Sequence, residues 1–91
     1  MHVSAQVSLY PLGQSSLGPA IEAALRTFRA RGLGYHAGSM STEVAGEAKA
    51  VFEALSAAFE AAAAYGGTVM VLTVSNACPA SLPLRKPDGD A

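Results

Sequence analysis

The sequence predicts an α+β domain in the order strand, helix, strand, strand, helix, strand. Three observations carry this. Apolar and polar residues alternate from Val3 to Leu9, two later stretches repeat their apolar residues at helical spacing, and residues 68–74 are apolar at both parities.

In the first strand Val3, Ala5, Val7 and Leu9 share one face, while Ser4, Gln6, Ser8 and Tyr10 share the other. Pro11-Leu12-Gly13 ends the alternation. Ser15 and Ser16 offer an N-cap hydroxyl, and Pro19 suits a first helical turn. Ile21, Ala24, Leu25 and Phe28 follow at helical spacing, and this helix is expected to stop by Gly32. Residues 33–38 and 41–46 read as short strands joined in a hairpin near Ser39-Met40. The second helix carries Ala48, Val51, Phe52, Leu55, Ala58, Phe59 and Ala62 as one stripe and ends at Gly66-Gly67. Residues 68–74 then read as a strand covered on both faces. Beyond Asn76, the prolines Pro79, Pro83 and Pro87 with Asp88-Gly89-Asp90 predict a loose tail, so 1–79 is expected to be the domain and 80–91 the tail.

This order is that of the ferredoxin-like sandwich, a four-stranded antiparallel sheet with two helices on one face. The other face stays uncovered, with Ser4, Gln6, Ser8 and Tyr10 pointing outward beside apolar groups of the last strand. Such a face predicts a homo-oligomer, dimer or tetramer, formed through the sheets.

Composition narrows the function. The 91 residues are 51% apolar and 14% charged, with a net charge of −1, and their mean hydropathy is +0.29 at a pI near 6.0. No overall field attracts phosphates or anionic lipid, so neither nucleic acid nor a membrane surface is an expected partner. Only roughly 60–65% of the unfolded surface would be buried in a chain this short, which again favours self-association. One cysteine, Cys78, with His2 and His36, makes neither an intrachain disulfide nor a zinc cluster. No cofactor or metal is expected. The start lacks a secretory signal pattern and no apolar run approaches a membrane span, which predicts a soluble, cytoplasmic protein.

Catalytic signatures are absent: there is no nucleophile elbow, phosphate loop or H-E-x-x-H pattern, so the sequence is not expected to encode an enzyme. Arg26, Arg29 and Arg31 complement the first helix's dipole, and Glu47, Glu53 and Glu60 read as the solvated face of the second. The informative groups are Gln6, Ser8, Tyr10, Ser39, Ser41, Thr42, Glu43, Ser75 and Asn76. They are too polar for a dry interface, since each buried group left unpaired costs about 1–3 kcal/mol. A small polar ligand or trapped water should meet them, although hydroxyls also decorate ordinary strands and turns. Two rivals remain open. One is a small oligomeric oxygenase- or isomerase-type enzyme with His36, Tyr10 or Glu43 handling protons; the other is a protein-interaction module with a dry face.

The blocks Val3-Ser4-Ala5-Gln6-Val7-Ser8-Leu9-Tyr10-Pro11-Leu12, Gly38-Ser39-Met40-Ser41-Thr42, Gly46-Glu47 and Val74-Ser75-Asn76-Ala77-Cys78-Pro79 resemble the YkoF-like thiamine and hydroxymethylpyrimidine-binding family. The resemblance spans nearly all of the chain to Pro79. It implies a ferredoxin-like unit, assembly of single-domain members into oligomers, and capture of thiamine or its pyrimidine without chemistry, in salvage or transport. The ligand residues it implies are Ser8, Tyr10, Ser41, Thr42, Ser75 and Asn76, with Gln6 and Glu43 added from their placement. The Asn76 amide could read an aminopyrimidine edge, hydroxyls of Ser8, Ser41 or Thr42 could take its remaining polar atoms, and Tyr10 and Glu43 could meet the thiazolium cation. Another branch of the family carries an acid where this chain has Ala45 and ends its last strand in charged residues.

Overall fold

The computed structural model describes residues 1–38 and 41–77. The expected turn at Ser39-Met40, the thiol Cys78 and the tail 80–91 lie outside the described residues. Alternation in the first strand sets the layering. The elements are β1 (His2–Pro11), α1 (Gly18–Ala30), β2 (Gly34–Ala37), β3 (Thr42–Glu47), α2 (Ala48–Ala63) and β4 (Thr68–Ser75). They form one antiparallel sheet in the order β2-β3-β1-β4. This is the predicted ferredoxin-like sandwich.

Val3, Ala5 and Val7 turn to the helices and are buried with Tyr35, Val44, Ala24, Phe28, Val51, Ala54, Leu55 and Ala58 in one core. Each fully buried valine, leucine or phenylalanine contributes about 1.5–3 kcal/mol. Register then fixes the outer face. His36, Glu43, Gln6 and Thr73 form one cross-strand row, and Gly34, Ala45, Ser4 and Ser75 form the next. None of these outer-face residues belongs to the core.

The end of α1 is a Schellman closure that hands the chain to β2. Gly32, at φ +76°, donates its N–H to the Arg29 carbonyl at 3.2 Å, and Leu33 donates to the Phe28 carbonyl at 3.2 Å. Leu33 thereby enters the core beside Phe28. The start of α1 differs from expectation. Its N-cap is Leu17, with no side-chain cap, because the first turn is closed by the Ile21 N–H on the Leu17 carbonyl at 3.3 Å. Ser15 and Ser16 lie too far back along the chain to cap it. Pro19 occupies the first turn as predicted.

Two further expectations are corrected. The predicted stripe of α2 is too wide: Val51, Leu55, Ala58 and Ala62 are buried, but Phe52 and Phe59 are exposed. At about 100° per residue both phenylalanines lie about 80–100° round the helix from Val51. Among the described residues, the strand expected to be covered on both faces is instead at an edge of the sheet, paired with β1 alone. Val69, Val71 and Leu72 are accordingly exposed in the single chain.

At the start of α2, the Met1 ammonium donates to Glu47 Oε1 at 2.9 Å. That hydrogen bond, helped by the ammonium charge, holds the Glu47 carboxyl below its ordinary range.

Gly46 shows why a glycine stands in a strand. A Cβ there would lie 3.0 Å from Leu33 Cδ2 and 3.6 Å from Val51 Cγ2. Gly46→Val is therefore expected to destabilise the fold by about 1–3 kcal/mol through overpacking, despite valine's better strand propensity. Chemical denaturation checks the sign: a variant more stable than wild type would show that Leu33 yields freely.

Candidate functional site

Where β1 ends and β3 begins, α1 and the sheet diverge enough to leave a cavity. Its volume is about 320 Å³, and it is lined by Val7, Leu9, Tyr10, Ile21, Ala24, Leu25, Phe28, Gly38, Ser41 and Thr42. Three segments build it. The end of β1 supplies Val7, Leu9 and Tyr10, the stripe of α1 supplies Ile21, Ala24, Leu25 and Phe28, and the β2–β3 hairpin end supplies Gly38, Ser41 and Thr42. A wall of six apolar side chains with hydroxyls at its margin has the composition of a small-molecule site, and its volume falls at the lower end of the usual ~300–1,000 Å³.

Thr42 is the Cα partner of Val7 and so belongs to the helix-facing parity of β3, which turns it to the cavity instead of the open face. Ser41 sits at the corner between the two. It lines the cavity, and its Oγ accepts a hydrogen bond from Gln6 Nε2 on the outer face at 3.2 Å. The hairpin end is held by the Gly38 N–H on the Ser41 carbonyl at 2.8 Å. Tyr10, near the end of β1, also lines the cavity and remains exposed.

The structure thus divides the eight residues singled out from the sequence. Tyr10, Ser41 and Thr42 meet at the cavity. Gln6, Ser8 and Glu43 adjoin it on the outer face, Gln6 and Glu43 as cross-strand partners. Ser75 and Asn76 lie toward the opposite end of the sheet, where Ser75 Oγ accepts the Ala77 N–H at 2.9 Å and Asn76 Nδ2 approaches Met1 Sδ at 3.4 Å. Leu72 is opposite Val7, so Asn76 lies four residues, about 13 Å, along the strand from the cavity's level. His36, beside Glu43, is on the outer face too and is not a lining residue.

The apolar wall escaped the sequence reading as part of a site. Ile21, Ala24, Leu25 and Phe28 were legible as an apolar stripe, but a stripe over a cavity has the same spacing as one over packed core. Among the described residues no cluster of three or more His, Cys, Asp or Glu side chains could hold a metal ion. No helix among them is long and apolar enough to cross a membrane.

Fold and cavity together define a small single-sheet α+β sandwich with a cavity between its first helix and the sheet. The chain belongs to the YKOF-related family, whose sequence profile matches residues 2–81. Solved structures share the fold at low identity. A hypothetical protein from Methanocaldococcus jannascii superposes with a TM-score of 0.77 at 22% identity, over 88% of this chain and 84% of that one. A domain of unknown function, DUF77, from Bacillus cereus gives 0.75 at 18%, over 82% and 75%. A candidate thiamine biosynthesis/salvage protein from Thermotoga maritima gives 0.73 at 18%, over 81% and 82%. The search of curated proteins gave no match.

Proposed function

We propose that this protein captures thiamine or its hydroxymethylpyrimidine moiety without transforming it, in salvage or transport in the cytoplasm, and that the ligand's ring lies in the cavity between α1 and the sheet. The observation that carries this reading is the cavity itself, with six apolar side chains facing a hydroxylic margin of Tyr10, Ser41 and Thr42. Family membership and the fold shared with the Thermotoga maritima protein support thiamine as the chemistry.

An aminopyrimidine presents a donor beside a ring-nitrogen acceptor. Hydroxyls both donate and accept, so Ser41 and Thr42 can serve either atom. The flat ring buries its faces against Val7, Leu9 and Phe28. The thiazolium of whole thiamine extends toward the rim, where the Tyr10 ring face attracts a cation and Glu43 on the adjoining outer face adds negative charge. Of the three side chains an enzyme would use to handle protons, Tyr10 lines the cavity but His36 and Glu43 do not, so the three do not converge there. That favours capture over turnover.

Self-association through the outer sheet face belongs to the same proposal. Gly34, Ala45, Ser4 and Ser75 make a row of small residues on which a second sheet can seat closely.

Calorimetry with thiamine, hydroxymethylpyrimidine and an unrelated quaternary cation tests the reading. Heat is expected from the first two and not from the third. Thr42→Val, which keeps shape and removes the hydroxyl, is expected to weaken binding by about 1–3 kcal/mol. Ile21→Trp, at an exposed lining position, should close the mouth. Absence of heat from either pyrimidine at millimolar concentration refutes the function. Binding kept in Thr42→Val and lost in Asn76→Ala moves the ligand to the far end of β4.

A further inference from the structure

Ser41 lines the cavity, yet the side chain that bonds it comes from the opposite face of the sheet. Gln6 has the outward parity of β1, is exposed in the single chain, and donates from Nε2 to Ser41 Oγ at 3.2 Å. Strand pairing explains the reach. Gln6 lies directly across from Glu43, and Ser41 stands two residues before Glu43, so the two side chains meet on the diagonal of one antiparallel pair.

A hydroxyl has one proton and two lone pairs. At Ser41 a lone pair on the outer side is taken by the Gln6 amide, and among the described residues no group accepts the Ser41 proton. The N–H and O–H hydrogens repel each other, which turns that proton away from Gln6 and toward the cavity. The amide's own orientation has a cause in the same strand pair. Glu43, across from Gln6, is a carboxylate that only accepts, so the amide is better placed with its N–H groups toward β3 than with its carbonyl there.

We propose that Gln6 is a positioning residue acting through Ser41: it commits the Ser41 hydroxyl to donating into the cavity, so that the site selects rings presenting an acceptor there and rejects rings presenting a donor. The assignment rests on the capture reading above and orients its polar contacts. The ring nitrogen beside the pyrimidine's amino group takes the Ser41 proton, and the amino group donates to Thr42 Oγ1 on the same margin. A pyrimidinone of nearly the same size carries N–H and C=O in these two places. Its N–H meets the Ser41 proton, and two donors left facing each other out of water cost more than a bond not made. Selectivity is thus set from the outer face, by a side chain that does not line the cavity.

Calorimetry with two uncharged probes is the test: hydroxymethylpyrimidine and its 4-oxo analogue, in which a carbonyl replaces the amino group and the adjacent ring nitrogen carries hydrogen. The wild type is expected to bind the amino compound at least about tenfold more tightly. Gln6→Met keeps the side chain's length and removes its donor, which frees Ser41 to rotate, so the ratio should fall about threefold or more. Gln6→Glu, in alkaline buffer where the new carboxylate is ionised, draws the Ser41 proton to the outer face and should reverse the preference. Gln6 is outside the core, so both variants should keep the circular dichroism of the wild type. A merely structural role would weaken both probes alike and leave their ratio unchanged. In a Ser41→Ala background neither Gln6 substitution should alter the ratio, because the link is already cut. Nuclear magnetic resonance supplies a ligand-free readout: the Gln6 side-chain amide signals should shift in Ser41→Ala. An unchanged ratio in both Gln6 variants, a Gln6 effect that persists without the Ser41 hydroxyl, or Gln6 amide signals indifferent to Ser41→Ala overturns the proposal and leaves pyrimidine capture standing. A wild type that binds neither probe overturns the capture reading, and this inference with it.

Discussion

Phe28→Ala is expected to lose about 3–5 kcal/mol of folding stability, the range for deleting a buried aromatic side chain. Phe28 is one of the largest fully buried side chains, and it belongs to one core cluster with residues of β1 and α2. Its backbone carbonyl also closes the end of α1 by accepting from Leu33, but that bond survives the substitution, so the loss falls on packing alone. Domains of this size have about 5–15 kcal/mol in total, so the variant should lie close to its unfolding threshold. Urea denaturation should show a lowered midpoint with an unchanged slope. Phe28 also walls the cavity, so ligand affinity should fall in the fraction that remains folded. A loss under about 1 kcal/mol would mean that α1 collapses onto the vacated space, and the cavity would then be a yielding gap and not a built site.

Leu55→Ala and Phe52→Ala form the second test, because they remove side chains three residues apart on one helix with opposite expected outcomes. Leu55 is buried beneath α2, and its truncation should destabilise by about 2–5 kcal/mol at every protein concentration. Phe52 is exposed, and in dilute solution its truncation should change stability by no more than about 0.5 kcal/mol. Any association of copies that covers Phe52 makes the Phe52→Ala effect grow with concentration, because folding and association are then linked by mass action. Thermal melts over a dilution series distinguish the two behaviours. A large Phe52→Ala loss in dilute solution would place that ring inside the protomer's own core.

Strand β1 was the most legible part of the molecule. Its alternation alone assigns Val3, Ala5 and Val7 to the core and Ser4, Gln6 and Ser8 to the open face, because a period of two is a local property of extended chain. The helices were legible in position but less so in aspect. The α2 stripe included Phe52 and Phe59, since hydrophobicity reports that a residue would be stabilised by burial, not that this chain has a surface to bury it. β4 failed in the same way. Its apolar residues at both parities predicted cover that the described residues of one copy do not provide. The α1 cap is not legible in the sequence, because Ser15 and Ser16 are good capping residues on a loop that has not yet reached the helix.

The candidate site was legible in its hydroxyls and not in its location. Thr42 and Glu43 are neighbours in sequence and look like parts of one polar surface, yet the pairing of Thr42 with Val7 sends them to opposite sides of the sheet. Asn76 and Tyr10 belong together by their chemistry, and the antiparallel register of β1 with β4 separates them toward opposite ends.

Local periodicity and turn chemistry determined the order of elements, the two faces of β1 and the ends of the helices at glycine, and the resemblance of its sequence blocks pointed to the YKOF-related family. Only the tertiary structure decided which side of the sheet holds the cavity, which polar groups border it, and which strand is left at an edge. The physical reason is reach: a repeating pattern fixes which side of an element is apolar, but strand order and register come from contacts between residues tens of positions apart, and these choose what each side meets.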